Sequence, residues 1–137
     1  MRNLIQLSEP EFLRVLVTKE GVGDDAYYVA HCLYGDIAEQ GDTRELAVTH
    51  LAKSLLQLVC QVLERGESLA EFYAMAAPEE VVAMYNQAPV NQISVDFLDT
   101  ARAADAAYVE RKQAVLRGYL EQLPAHCLPP MRTRAAA

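Results

Sequence analysis

Residues 42–66 read DTRELAVTHLAKSLLQLVCQVLERG, from Asp42 to Gly66. Val48, Leu51, Leu55, Leu58 and Val62 recur at spacings of three and four, which draws one apolar stripe down a helix. Leu56, Val59 and Leu63 widen that stripe. Both ends are marked: Asp42 suits an N-cap, Glu45 stands three residues later as a capping box requires, and Gly66 supplies a stop. A helix this apolar needs cover on more than one side. The expectation is a central helix over about 42–65 inside an all-α, irregular bundle of five to six helices.

Outward from that helix, the N-terminal side reads as two more. Ser8 with Glu11 forms a capping box, and Phe12, Leu13, Leu16 and Val17 follow as a buried face. Gly21-Val22-Gly23 is a loose connection. Ala26, Val29, Leu33 and Ile37 then line one face of a helix expected from Asp24 or Asp25 to Gln40. Asp25, Asp36 and Glu39 form its acidic face, and Tyr27, His31 and Tyr34 a third ridge. On the C-terminal side, Ser68 with Glu71 opens a helix carrying Phe72, Tyr73 and Met75. Pro78 suits the first turn of another, with Glu79 and Glu80 complementing its dipole. A long Ala-rich helix is expected over about 92–123, where Ala101, Ala103, Ala104, Ala106 and Ala107 would let a second helix come close. Residues 1–123 then form one all-α domain, and 124–137 a frayed tail rich in Pro and Arg.

Composition narrows the function classes. The formal charge of −7 is uneven: residues 1–100 carry 16 acids against 6 Lys or Arg, and 101–137 carry 3 against 6. An acidic body repels nucleic acid and suits a basic protein partner. Cys32, Cys60 and Cys127 form no Cys-x-x-Cys pair, so they read as free thiols of a reducing cytoplasm rather than as metal ligands. No apolar run approaches the roughly 20 residues of a membrane span. There is no His-Glu-x-x-His, no glycine-rich phosphate cradle and no Gly-x-Ser-x-Gly elbow. Neither metal nor cofactor is expected.

Three groups of residues could carry function. Arg44 and His50 stand in the pattern Arg-x-x-x-x-x-His, which resembles the active-site motif of the HEPN ribonucleases. The resemblance implies an all-α domain whose Arg and His act together at a dimer interface on RNA. Residue 45 is Glu, where that family usually shows Asn, Asp or His. The second group is the ridge of Tyr27, His31 and Tyr34 with the acids Asp24, Asp25, Asp36 and Glu39. Tyrosines would anchor a partner there, and carboxylates would meet its basic surface. The third is a basic stretch, Arg102, Arg111, Lys112 and Arg117, able to dock an acidic partner. The leading expectation is a non-enzymatic binding protein of bacterial or phage origin, acting as an inhibitor, immunity protein, adaptor or assembly chaperone. It would occlude a basic partner surface and could form a homodimer through the 92–123 helix. The alternatives are the ribonuclease and a small-ligand-binding regulatory domain.

Overall fold

The computed structural model describes residues 12–67, 69–89, 93–95, 97–115 and 131–135. It corrects the all-α expectation. Three strands come first: β1 (Leu13–Glu20), β2 (Tyr27–Cys32) and β3 (Ile37–Gly41). Then follow α1 (Arg44–Glu64), α2 (Ala70–Ala74), α3 (Glu79–Gln87), β4 (Ile93–Val95), α4 (Phe97–Ala104), α5 (Ala106–Arg111) and β5 (Met131–Ala135). The fold is mixed α/β.

The strands have local causes. Val15, Val17 and Thr18 in β1, and Tyr27, Tyr28 and Val29 in β2, are β-branched or aromatic residues that suit a pleated, half-buried surface. The helix expected up to Gln40 breaks at Gly35 and Asp36, whose φ angles are 74° and 51°. Two successive left-handed residues cannot continue a right-handed helix, and here they turn β2 back into β3. The apparent helical stripe of Val29, Leu33 and Ile37 is thereby split between β2, the turn and β3.

The strand order is β3-β2-β1-β5-β4. β1 pairs antiparallel with β2, and β2 with β3, while β1 and β5 run parallel with Leu13 opposite Met131. β4 completes the far side, antiparallel to β5. As the central strand, β1 is buried on both faces, so its side chains do not alternate cleanly between apolar and polar. Leu13, Val15 and Val17, with Ala30, Cys32 and Met131, face α1 and its Leu51, Leu55, Leu56 and Val59. Leu16 points the other way, into a smaller cluster with Leu33, Ala77, Tyr85 and Ala88 beneath α3.

The helix read from residues 42–66 is present as α1, capped by Thr43 rather than Asp42. The Thr43 hydroxyl accepts from the Leu46 amide at 3.1 Å. What covers its apolar stripe is chiefly a sheet, with α4 alongside. Among the described residues α1 is the one helix long and apolar enough to cross a bilayer. Eight of its side chains are buried within this fold, from Ala47 to Cys60.

The long helix expected over 92–123 is not continuous. Strand β4 occupies its start, and Asp105 separates α4 from α5, its carboxylate accepting from the Tyr108 amide at 3.0 Å. That amide, and then the Lys53 ammonium 3.1 Å away, hold the Asp105 carboxyl below its ordinary range. Residues 116–123 lie outside the described residues, as do Ser8 and Ser68, the first residues of two expected capping boxes. In the segment expected to fray, Met131–Ala135 is a strand inside the sheet.

Candidate functional site

A groove of about 440 Å³ opens beside the β2–β3 turn. Three stretches of chain build it: Gly35 and Ile37, then Leu58, Val62 and Glu67, then Glu71, Phe72 and Met75. Backbone pairing fixes the third stretch against the first. The Gly35 amide donates to the Met75 carbonyl at 2.7 Å, and the Ala77 amide donates to the Leu33 carbonyl at 2.9 Å. Gly35 has to be glycine for a second reason besides its φ. A Cβ there would run into the Phe72 ring. Phe72 in turn meets Tyr73 edge-on at 5.1 Å, and Tyr73 meets Tyr34 at 6.0 Å, so the groove wall continues into the core.

The floor is apolar: Ile37, Leu58, Val62, Phe72 and Met75. Met75 is 55% exposed, an unbranched thioether that can adapt to an incoming apolar group. Glu67 and Glu71 stand at the rim. No ion pair involves either one among the described residues. An apolar trough with unneutralised carboxylates at its lip can hold an apolar side chain whose neighbours are cationic.

The expected ridge of Tyr27, His31 and Tyr34 is divided. Tyr27 and His31 share one face of β2, by the period of two, and are half-buried. Tyr34 lies beyond the strand, buried, with its hydroxyl accepting from Arg14 Nη1 at 2.8 Å. The acids are divided as well. Asp24 and Asp25 sit in a 3₁₀ turn before β2, and Asp36 follows β2 at its other end. Asp36 Oδ1 lies 2.6 Å from His31 Nε2, and Glu39 accepts from the Ser54 hydroxyl at 2.7 Å.

Arg44 and His50 both lie on α1 but serve separate contacts. Arg44 stacks over the Tyr28 ring at 5.5 Å, and His50 Nδ1 sits 2.7 Å from the Gln40 carbonyl at the end of edge strand β3. The all-α frame implied by the HEPN resemblance is absent, and the ribonuclease reading is not carried forward.

The basic stretch is largely occupied internally. Arg102 pairs with Asp99 at 3.1 Å, Lys112 with Glu64 at 3.0 Å, and Arg111 stacks over Tyr108 at 5.6 Å. Arg117 lies outside the described residues.

Burial pushes the Cys32 thiol up to about 12, against a weaker opposing effect of the Tyr34 backbone. A thiol so rarely ionised is a poor nucleophile. Cys32 should therefore resist iodoacetamide in the folded protein at pH 8 and react once the protein is unfolded in urea, as read by intact mass. No group of three or more His, Cys, Asp or Glu able to hold a metal occurs among the described residues.

In the sequence Leu58 and Val62 read as part of the apolar stripe of the long helix and Phe72 and Met75 as residues carried by the next helix, so nothing there marks a groove, and Glu67 draws no reading. A faint signal lay in Gly66-Glu67-Ser68-Leu69-Ala70-Glu71-Phe72, where two acids bracket Leu69 and Ala70 just after the long helix ends. Comparison with known proteins gives no match to any protein-family model, curated protein or solved structure.

Proposed function

We propose that this chain is a binding protein whose groove beside the β2–β3 turn receives a segment of a basic protein partner. That segment carries an apolar anchor flanked by Lys or Arg. One observation carries the reading: a groove of about 440 Å³ has an apolar floor and is rimmed by Glu67 and Glu71. The net charge of −7 adds a long-range pull on a cationic partner. Seating the anchor would bury apolar surface on both sides, and the rim charges would fix which partner enters. Occupying that segment masks the partner's basic surface, which is the action of an inhibitor, immunity protein, adaptor or assembly chaperone. Cys32 and Cys60, both buried free thiols, suit work in the reducing cytoplasm.

A fluorescein-labelled peptide of alternating Leu and Lys, followed by anisotropy, tests this. The wild-type protein should bind it, more weakly as salt rises past physiological strength. Glu67→Lys combined with Glu71→Lys should weaken binding roughly tenfold, since each exposed pair contributes about 0.2–1 kcal/mol. Met75→Asp should weaken it as well, with little change in Tm because Met75 is 55% exposed. Equal affinity for all three proteins would remove the groove from consideration.

A further inference from the structure

The face of the sheet under α3 holds an arrangement that the groove does not use. Arg14 on β1 and Arg132 on β5 are directly paired across the two strands, and Arg134 lies two residues further on, opposite Leu16. All three belong to the side of the sheet on which Leu16 meets Tyr85. The Arg14 and Arg132 guanidinium carbons lie 5.2 and 4.2 Å from the centre of the same Phe12 ring, so that ring holds both cations close together. Arg134 lies 4.6 Å over the Tyr85 ring and donates from Nη1 to the Tyr85 carbonyl at 3.1 Å.

Three cations so close repel one another, and like charges directly opposite across a strand pair destabilise a sheet. In a protein of net charge −7 an acid would be the expected neighbour. Among the described residues none of the three arginines has an ion-pair partner. Among the described residues two donors within the cluster, the Tyr85 hydroxyl and Arg134 Nε, are also buried without a hydrogen bond of good geometry. Tyr85 is 1% exposed, so solvent does not satisfy its hydroxyl. Burial pushes the Tyr85 phenol above its ordinary value, the charges of Arg134, Arg14 and Arg132, in that order, pull against that shift, and the approach of the Arg134 side chain to the hydroxyl adds a smaller pull. The phenol thus stands in the field of all three guanidinium groups, while Arg134 Nη1 is held on the Tyr85 carbonyl.

We propose that Arg14, Arg132, Arg134 and Tyr85 form a binding site for a phosphate dianion, free or as a small phosphate monoester. The group would sit over strands β1 and β5 beside the Tyr85 end of α3, accepting from guanidinium N–H groups, and from the Tyr85 hydroxyl once the Arg134 side chain swings off the ring it now covers. Phosphate suits the site better than a carboxylate. It brings two charges to three cations, and its tetrahedral oxygens can meet donors arriving from more than one direction, where guanidinium forks bind bidentately. A polynucleotide is disfavoured, because the acidic body would repel the rest of the chain.

Thermal unfolding of the full chain at constant ionic strength tests the site. Potassium phosphate should raise Tm with a saturating dependence on concentration, as a ligand specific to the folded state does, and potassium chloride should not. Arg132→Gln, at an exposed position, should weaken the apparent affinity about tenfold, as expected for losing one charge-assisted contact. Tyr85→Phe keeps the ring but removes the unpartnered hydroxyl. It should raise Tm of the free protein and shrink the phosphate-dependent increment several-fold. A hydroxyl with no ligand would raise Tm by the same amount with and without phosphate. Phosphoserine replaces inorganic phosphate in a parallel arm, and the tighter of the two identifies the source. Equal stabilisation by chloride, or an unchanged phosphate increment in both variants, would overturn the proposal, since either would mean simple screening of the arginines.

Discussion

Leu55→Ala lowers the free energy of unfolding by about 2–5 kcal/mol, the range for emptying a buried leucine site. At this chain length that corresponds to a fall in Tm on the order of 10 °C. Leu55 is 0% exposed, midway along α1, and its neighbours are contributed by strands as well as by the helix's own turns. Because the covering layer is a hydrogen-bonded sheet, it cannot slump into the vacated space as a loose helix could, and most of the cavity term is retained. Leu46 is the control on the same helix. It is 43% exposed, and Leu46→Ala should change stability by no more than about 0.5 kcal/mol. Urea unfolding followed by circular dichroism measures both. Similar losses for the two leucines would mean that α1 does not present a single face to the sheet.

Gly35→Val is the second large effect, and it reaches stability and binding together. Gly35 has a φ of 74°, where a side chain costs about 1–2 kcal/mol. A Cβ there would also meet the Phe72 ring, and forcing atoms into a packed wall adds about 1–3 kcal/mol. Gly66→Val separates the two causes. Gly66 has a φ of 69°, but nothing lies within 4 Å of the place its Cβ would occupy. It should show the strain alone, so the difference in unfolding free energy between the variants measures the Phe72 clash. Since Phe72 is a wall of the groove, Gly35→Val should also weaken the Leu/Lys peptide, while Gly66→Val leaves its affinity unchanged. The same loss of stability in both variants would mean that the Phe72 ring yields at no cost.

The long helix was legible because its apolar residues keep a helical period from Val48 to Val62, longer than a strand's ordinary length. The strands before it were not, for two physical reasons. β1 is buried on both faces, so Leu13 to Val17 show no period of two, and a short apolar run of that kind fits a helix equally well. In β2 the spacing of Ala26, Val29, Leu33 and Ile37 matches a helical face by coincidence, and it concealed the β-forming run Tyr27-Tyr28-Val29. Gly35-Asp36 was the decisive local signal. Read as a turn, it would have ended the expected helix where β2 ends. The strand at Met131–Ala135 has no such signal, since alternating Arg132 and Arg134 fit a solvated tail as well as a sheet face. The excess of acids over bases could be read from composition. The groove itself could not, because Gly35 and Ile37, then Leu58, Val62 and Glu67, then Glu71, Phe72 and Met75 meet only after the sheet has formed.

The placement of β5 between β1 and β4 bears on how the molecule is made. During synthesis β1, β2, β3 and α1 emerge in that order, and each packs on what has just appeared, so a partly built half can assemble early. The other edge of β1 then waits for Met131 while everything from Gly21 to Pro130 is translated. Throughout that interval the central strand of the sheet offers its unpaired amides and carbonyls to any passing chain. The parallel β1–β5 pairing is also a contact between distant parts of the sequence, the kind that forms slowly. Nascent chains stalled before Met131 are therefore the stage at which this protein is most exposed to misassembly and most in need of a chaperone.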